Sequence, residues 1–322
     1  MKIAVVGLGS MGKRRIRLMK EMYPENTIIG IDARIDRRQE AAELFQIESF
    51  EGLADLDGKP DCVFVCTSPL SHNAIIHEAL DMGCNVFTEL NLVKDGYEEN
   101  MRLAKEKGVT LFLSSTFYYR EEIRYIREQI SSNKKWNYIY HIGQYLPDWH
   151  PWESYKDFFL GYKRTNGCRE IMAIELPWLT GTFGDVTDVK VMSDKQTELN
   201  IDYKDNFMIQ LQHKGGNKGS LIVDVVSPCA VRNLEVYTEN GYLSWNGTPE
   251  SLKEYDAKIK ELKKVALNEA TEHIDGYSAF IIENAYKNEI MEFFEVVAGL
   301  KEPFYGFEQD LKILELIDKI GA

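Results

Sequence analysis

The sequence predicts an α/β chain: a doubly wound parallel sheet first, then an α+β domain around a large open, mainly antiparallel sheet. Three observations carry that expectation. Over the first 115 residues short apolar runs alternate with amphipathic stretches, as βα units with right-handed crossovers require. A glycine-rich turn joins the first apolar run to the first amphipathic stretch. From Val186 to Trp245 the pattern is strands alone, broken by turn signals at Lys214–Lys218 and Glu239–Gly241. With 322 residues the chain has the length of about two domains. They are expected to span residues 1–117 and 118–322.

Taken in order, Lys2–Val6, Thr27–Ile31, Asp61–Cys66, Asn85–Glu89 and Val109–Leu113 read as buried parallel strands, because their apolar runs show little alternation. Helices are expected from near Gly12, from near Arg37, and through Ile75, Ile76, Ala79 and Leu80 up to Gly83. Another is expected from Asp95, where Asp95 and Glu98 have the spacing of a capping box. Further on, a helix Glu121–Ile130 leads to a strand Tyr138–Gln144, an aromatic loop, and a helix from about Arg169 to Thr180. Lys253–Lys264 alternates charge sign and reads as a solvated helix. Near the end, Ile282, Tyr286, Ile290, Phe293 and Val297 form an apolar stripe at helical spacing, closed by Gly299. Met291, Phe293 and Phe294 are expected in the core, and these last helices can pack back on the first domain.

Hydrophobic residues at 44% and charged residues at 28% describe an ordinary globular chain and argue against disorder. Acidic residues outnumber Lys and Arg by 51 to 38, a net charge of −13 that repels nucleic acid and anionic membrane alike. The five cysteines, Cys62, Cys66, Cys84, Cys168 and Cys229, are scattered and include no CxxC pair, which suits reduced thiols and offers no metal pattern. No apolar run reaches the ~18–20 residues of a membrane span. A strand pattern starts at once, with no room for a signal peptide, so a cytoplasmic location is expected.

The sharpest signal is Gly7-Leu8-Gly9-Ser10-Met11-Gly12, placed between the strand Ile3–Val6 and a helix. Gly7 permits a tight turn, Gly9 lets a diphosphate reach the backbone, and Gly12 lets helix and strand pack closely. Ser10 and Met11 then open the helix, whose free N–H groups and dipole favour phosphate. Asp32 follows at the end of the second strand, twenty residues past Gly12. Its carboxylate suits the hydroxyls of an adenosine ribose and repels a 2′-phosphate, which favours NAD over NADP. Arg34, Arg37 and Arg38 leave NADP open, since they can hold that phosphate or simply start a solvated helix.

Thr67-Ser68-Pro69, His72, the helix end Ala79–Gly83 and the run Asn85–Glu89, taken with the glycine motif, resemble the glucose-fructose oxidoreductase/inositol dehydrogenase/MocA family. The resemblance covers the whole chain and is sharpest over the first 90 residues. It implies a Rossmann half, a second domain whose open sheet can mediate homodimer or homotetramer contacts, and a polyhydroxylated small-molecule substrate such as a sugar or cyclitol. Thr67, Ser68, Pro69, His72 and Glu89 are then expected to line the cofactor. Two departures matter. Where the family has Glu-Lys-Pro, this chain has Glu89-Leu90-Asn91, so Leu90 and Asn91 replace the lysine and proline beside the substrate. Where the family has an Asp, a His and a second Asp, this chain reads Glu170 through Pro177, with Ile174 at the histidine position in the preferred register.

Oxidising a carbinol requires its proton to leave, and a positioned acid–base group typically contributes ~10²–10⁴ in rate. Leu90 and Ile174 cannot supply one. His150, Glu175 and Tyr118 are the candidate catalytic replacements, and Glu170 can serve as a base if burial raises its pKa. Trp149 and Trp152 can stack on a sugar face or pack in a core. Lys163 and Arg164 can hold an anionic substrate group or merely charge the surface. His72 and His77 fall on a helix, where packing is the plainer role. Three functions follow: an NAD(P)-dependent oxidoreductase, an NAD(P)-binding sensor without turnover, and sugar chemistry without net redox.

Overall fold

Six short apolar segments lie side by side in parallel in the computed structural model, which describes residues 1–130, 134–149, 154–267 and 281–322. They are β1 (Lys2–Val6), β2 (Thr27–Ile31), β3 (Glu48–Phe50), β4 (Cys62–Val65), β5 (Asn85–Thr88) and β6 (Leu111–Leu113). Their order is β3-β2-β1-β4-β5-β6, so the direction of winding reverses between β1 and β4. The crossovers are α1 (Ser10–Met22), α2 (Ile35–Phe45), α3 (His72–Asp81) and α4 (Tyr97–Lys107). Ligands of such sheets bind outside the carboxyl ends of the strands at that reversal. The expected start of α4 is corrected: the N-cap is Gly96, in the left-handed region at φ 68°, and not Asp95. A side chain there would collide with Asn73, whose Oδ1 lies 1.7 Å from where a Cβ would stand.

The remaining strands form one mixed sheet of eight. They are β7 (Asn137–Gly143), β8 (Val186–Asp194), β9 (Asn206–His213), β10 (Lys218–Asp224), β11 (Val231–Thr238), β12 (Gly241–Trp245), β13 (Lys253–Asp256) and β14 (Glu261–Lys264). The order is β14-β13-β12-β11-β7-β10-β9-β8, antiparallel except for the β7–β10 pair. Period-two alternation gives the sheet two unlike faces. Tyr138, Tyr140, Phe207, Ile209, Leu221 and Val236 are buried on one face, while Ile139, Met192, Met208 and Tyr237 are exposed on the other. β13 and β14 overturn the helix expected over Lys253–Lys264: pairing with β12 turns the alternating charges into a hairpin. Helices α5 (Glu121–Ile130) and α6 (Gly167–Phe183) belong with this sheet, and α6 lies over the inner faces of β9 and β10.

The chain ends in α7 (Glu283–Val297) and α8 (Phe307–Ile320). One compact unit comprises Met1–Ser115 with Tyr286–Leu311, the other Thr116–Ala285 with Lys312–Ala322. In the first, Phe64, Phe87 and Phe112 occupy paired positions on β4, β5 and β6, with ring centroids 4.6 and 5.4 Å apart. Phe293 of α7 meets all three edge-on at 5.2, 5.6 and 5.6 Å. The apolar stripe of α7 thus closes the parallel sheet, although Met291, expected in the core, is exposed. No described helix is long and apolar enough to cross a membrane.

Candidate functional site

The glycine turn after β1 separates what the chain needs from what it leaves open. Gly7 sits at φ 95°, and a Cβ there would lie 2.7 Å from the Cys66 carbonyl. A Cβ on Gly12 would lie 1.9 Å from the Gly7 oxygen. Packing therefore demands both glycines. Gly9 is different: a Cβ there would meet only the Arg37 guanidinium, with Nη1 at 3.6 Å. The protein gains nothing from glycine at this position unless something must approach the backbone. Gly9 caps α1 without a side-chain partner, and the first turn carries no acidic residue, so its N–H groups face an undiminished dipole. Ser10 is exposed and Met11 half-buried, its Sδ 3.3 Å from Arg14 Nη1.

Asp32 is buried beside this turn. Its Oδ2 accepts the Leu8 N–H at 2.8 Å and its Oδ1 accepts the Arg34 N–H at 2.9 Å. The carboxylate thus fixes the glycine loop while each oxygen keeps a lone pair for a ribose hydroxyl. The three arginines take distinct places. Arg34 is exposed and pairs with Asp36, whose carboxyl this hydrogen bond holds down at about 2. Arg38 donates to the Asp32 carbonyl at 2.6 Å. Arg37 leans over Gly9, 3.7 Å from Asp32 Oδ2. The residues present fit a dinucleotide.

The loops after β4 and β5 complete this end of the sheet. Ser71 Oγ donates to the Thr67 hydroxyl and the Ser68 carbonyl, and Pro69 starts a short 3₁₀ turn into α3. His72 is 2% exposed, with Nε2 2.9 Å from the Thr67 carbonyl and Nδ1 2.6 Å from Asn91 Oδ1. Burial pushes its pKa down, so the ring is neutral. Asn91 therefore turns inward to His72; its expected place against a substrate is corrected, because its carboxamide is enclosed. Leu90 beside it is half-buried.

Glu89 is held from behind by a group the sequence pattern does not reveal. Arg15 of α1 is fully buried, donating to Glu89 Oε1 at 2.6 Å and to Glu289 Oε2 of α7 at 2.6 Å. Its guanidinium also lies over the rings of Phe87 and Tyr286. Burial alone would lower the Arg15 pKa, but the two carboxylates raise it, and the cation is permanent. Glu289 in turn accepts from Ser114 Oγ and the Ser115 N–H. Burial raises its pKa against that support.

On the second unit the expected proton carriers separate. Glu175 is fully buried and faces the sheet. It accepts from Tyr140 at 2.8 Å and Trp178 Nε1 at 2.7 Å, and it pairs with Arg232. That carboxylate is committed to packing by three partners; its expected role as a base is corrected. Tyr118 donates to the Pro177 carbonyl at 2.7 Å, and burial pushes its hydroxyl up to about 12, so it pins α6 where a proton donor was expected. Trp149 is half-buried, its Nε1 donating to the Gln144 carbonyl, with its ring near Gly167. Lys163 is exposed on a short turn before α6. His150 and Trp152 lie outside the described residues.

Glu170 stands apart. It sits in the first turn of α6, half-buried, and its Oε2 is shut from solvent with no partner among the described residues. Burial raises its carboxyl from 4.5 to about 7. A carboxyl raised toward neutrality by burial, its Oε2 without a partner, makes Glu170 a candidate acid–base group. Ile174, also half-buried, follows one turn later on the same face, away from Glu175. The spacing placed Glu170 among the candidates; only the fold separates it from Glu175.

Residues 1–115 match the Gfo/Idh/MocA family model, described as "Oxidoreductase family, NAD-binding Rossmann fold". Biliverdin reductase A of Homo sapiens is 22% identical over 204 residues, 61% of this chain and 62% of that protein's length. Among solved structures, biliverdin reductase from Synechocystis sp. PCC 6803, in complex with biliverdin and NADP+, superposes with a TM-score of 0.79 at 17% identity, covering 99% of this chain and 98% of that one. Levoglucosan dehydrogenase, in complex with NADH and L-sorbose, gives a TM-score of 0.82 at 14% identity, covering 100% and 96%. At such identities these structures establish the fold. Over residues 1–115 the chain is similar to the NAD-binding Rossmann domains of the Gfo/Idh/MocA oxidoreductase family.

Proposed function

We propose that the protein is an NAD(P)-dependent oxidoreductase that interconverts a carbinol and a carbonyl carbon in a small polyhydroxylated molecule, with Glu170 as its proton carrier. The observation that carries the reading is the approach to Gly9, where a Cβ would meet only the Arg37 guanidinium at 3.6 Å, next to a carboxylate, Asp32, with spare acceptor capacity. The nicotinamide, when bound, accepts or returns the hydride. The N–H groups from Gly9 to Gly12 bind the diphosphate, and Asp32 grips the adenosine ribose, which favours NAD. Arg15 and Glu289 hold Glu89 still at the cofactor end. In the oxidative direction the carbinol C–H leaves as hydride, its O–H proton passes to the Glu170 carboxylate, and the C=O bond forms. With a pKa of about 7, Glu170 takes and returns that proton at little cost in either direction. The exposed apolar residues on the outer face of the mixed sheet, Ile139, Met192, Met208 and Tyr237, support a homodimer or homotetramer.

A second reading rests on the biliverdin reductases among the relatives and on Leu90 and Ile174. Hydride delivered to a conjugated carbon sends the electron pair to nitrogen and requires no alkoxide, so neither lysine nor histidine would be missed. One experiment separates the two. Purified protein is titrated with NADH and NADPH by calorimetry, then assayed by nicotinamide absorbance against sugars, cyclitols, nucleotide sugars and biliverdin. Turnover of a polyol supports the first reading, and turnover of biliverdin alone replaces it with the second. Cofactor binding without turnover of any member favours a sensor, and absence of binding refutes all three.

A further inference from the structure

Three charges meet inside the first unit, and they do not cancel. Arg15 of α1 stands between Glu89, at the end of β5, and Glu289 of α7. The side chains of Arg15 and Glu289 are fully buried, and that of Glu89 is 12% exposed. One guanidinium thus answers two carboxylates. It turns Nε and Nη2 to Glu89 at 2.6 and 3.2 Å, and the same Nη2 to Glu289 at 2.6 Å. Glu289 also accepts the Ser114 hydroxyl at 2.9 Å and the Ser115 N–H at 2.7 Å, a set of donors that suits an ionised carboxylate. Arg14, the neighbouring cation, also lies over the Tyr286 ring but points Nη1 at Met11 Sδ, 3.3 Å away, toward the glycine turn.

Glu89 stands on the side of the sheet where the two oxidation states of a nicotinamide nucleotide differ. Asp32 follows β2, the glycine turn follows β1 and Glu89 follows β5, in the strand order β2-β1-β4-β5. Neighbouring strands are about 4.8 Å apart, which puts the ends of β2 and β5 roughly 14 Å from one another. A dinucleotide held at Asp32 and Gly9 therefore extends its nicotinamide toward β4 and β5. That ring is cationic when oxidised and neutral when reduced, so a nearby charge tells the two apart. The diphosphate is common to both, and Arg14 on that side treats them alike. A lone Glu89–Arg15 pair would present little field. With Glu289 drawing on the same cation, one negative charge is left over, and Glu89 is the least enclosed member of the three.

We propose that Glu289, acting through Arg15, leaves an uncancelled negative charge at Glu89, and that this charge makes the protein hold the oxidised nucleotide more tightly, relative to the reduced one, than the Glu89–Arg15 pair alone would. The inference rests on the proposed cofactor site. Its consequence is directional: the more the oxidised form is favoured on the protein, the more readily a bound reduced nucleotide gives up hydride. The cluster thus tilts the bound reaction toward reduction of the substrate, whether the accepting carbon is a carbonyl or part of a conjugated system.

The test is calorimetric titration of the parent, Glu289→Gln and Glu289→Asp with NAD+ and with NADH near pH 8. Gln keeps the shape and removes the charge; Asp keeps the charge and shortens the reach. In Glu289→Gln the affinity for NAD+ relative to NADH should fall about ten-fold, the worth of a unit charge about 12 Å away at an effective dielectric of about 20. Glu289→Asp should keep the parent's ratio. The ratio is the telling quantity, because a merely structural loss weakens both forms together. A ratio unchanged in Glu289→Gln, an equal loss of both affinities, or the same fall in Glu289→Asp overturns the inference and leaves the cofactor site standing. A parent that binds neither nucleotide sinks the proposed function and this inference with it.

Discussion

Replacing Glu170 by Gln should make the protein more stable and less active, and the two effects can be measured apart. Gln keeps the shape of the side chain and removes its ionisation. In the unfolded chain the carboxyl loses its proton near 4.5, but in the folded protein only near 7. Between those values the native state holds a proton that the unfolded state lacks, so stability falls as pH rises. The penalty is absent below about pH 4.5 and complete above about pH 7. At about 1.36 kcal/mol per pH unit its ceiling is roughly 3 kcal/mol. Glu170 is half-buried, and solvent screening brings that to about 1–2 kcal/mol. Urea unfolding of parent and Glu170→Gln near pH 8 should therefore differ by about 1–2 kcal/mol in favour of the variant, the gap closing near pH 4. The same substitution should lower kcat by about 10²–10⁴. A gap independent of pH, or a variant less stable throughout, would refute the account of the buried carboxyl. Unchanged kcat would refute its role.

Phe293→Ala removes the ring that meets Phe64, Phe87 and Phe112 together, and should cost about 3–5 kcal/mol in denaturant unfolding; a loss below about 1 kcal/mol would mean that α7 contributes little to closing the parallel sheet. Arg15→Met strips the cation from between Glu89 and Glu289 and should destabilise by about 3–5 kcal/mol. Adding Glu289→Gln should recover part of that loss, and a strictly additive double variant would argue against the cluster. The parent should bind NAD more tightly than NADP by calorimetry, and Asp32→Ala should narrow the gap about ten-fold or more; tighter NADP binding by the parent would reverse the assignment and point to Arg37.

Local signals reached the dinucleotide turn, the parallel sheet around it and the mainly antiparallel sheet that follows. Strand, turn and helix around Gly7–Gly12 depend on neighbours a few residues away, so pattern alone located them, and the same holds for α5. The charge run Lys253–Lys264 misled because its own alternation was silent on the edge of β12 that it joins. β3 has only three residues, and its pairing with β2 defines it. Arg15 looked like one more basic residue of α1, since its carboxylate partners stand at positions 89 and 289. Glu175 and Glu170 are chemically alike and five residues apart. Which one meets Tyr140, Trp178 and Arg232, and which is left without a partner, is set by how α6 rotates onto the sheet.

The residue that departs most from the family pattern on α6 bears directly on Glu170. Ile174 stands one turn further along the same face, where the resemblance expects histidine. An imidazolium there would lie within i,i+4 reach of the carboxyl and favour its charged form, and an opposite charge at about 4–6 Å lowers a carboxyl pKa by about 1–3 pH units. Isoleucine does the reverse, adding apolar surface and no counter-charge beside a carboxyl that burial already raises. Ile174→His should therefore pull the Glu170 titration down by at least about one pH unit, read from the pH dependence of the stability difference between Ile174→His and the double variant Ile174→His/Glu170→Gln. It should shift the acid limb of kcat in the same direction. If the Glu170 titration stays near 7, Ile174 is a bystander, and the raised pKa belongs to the rest of the helix's surroundings.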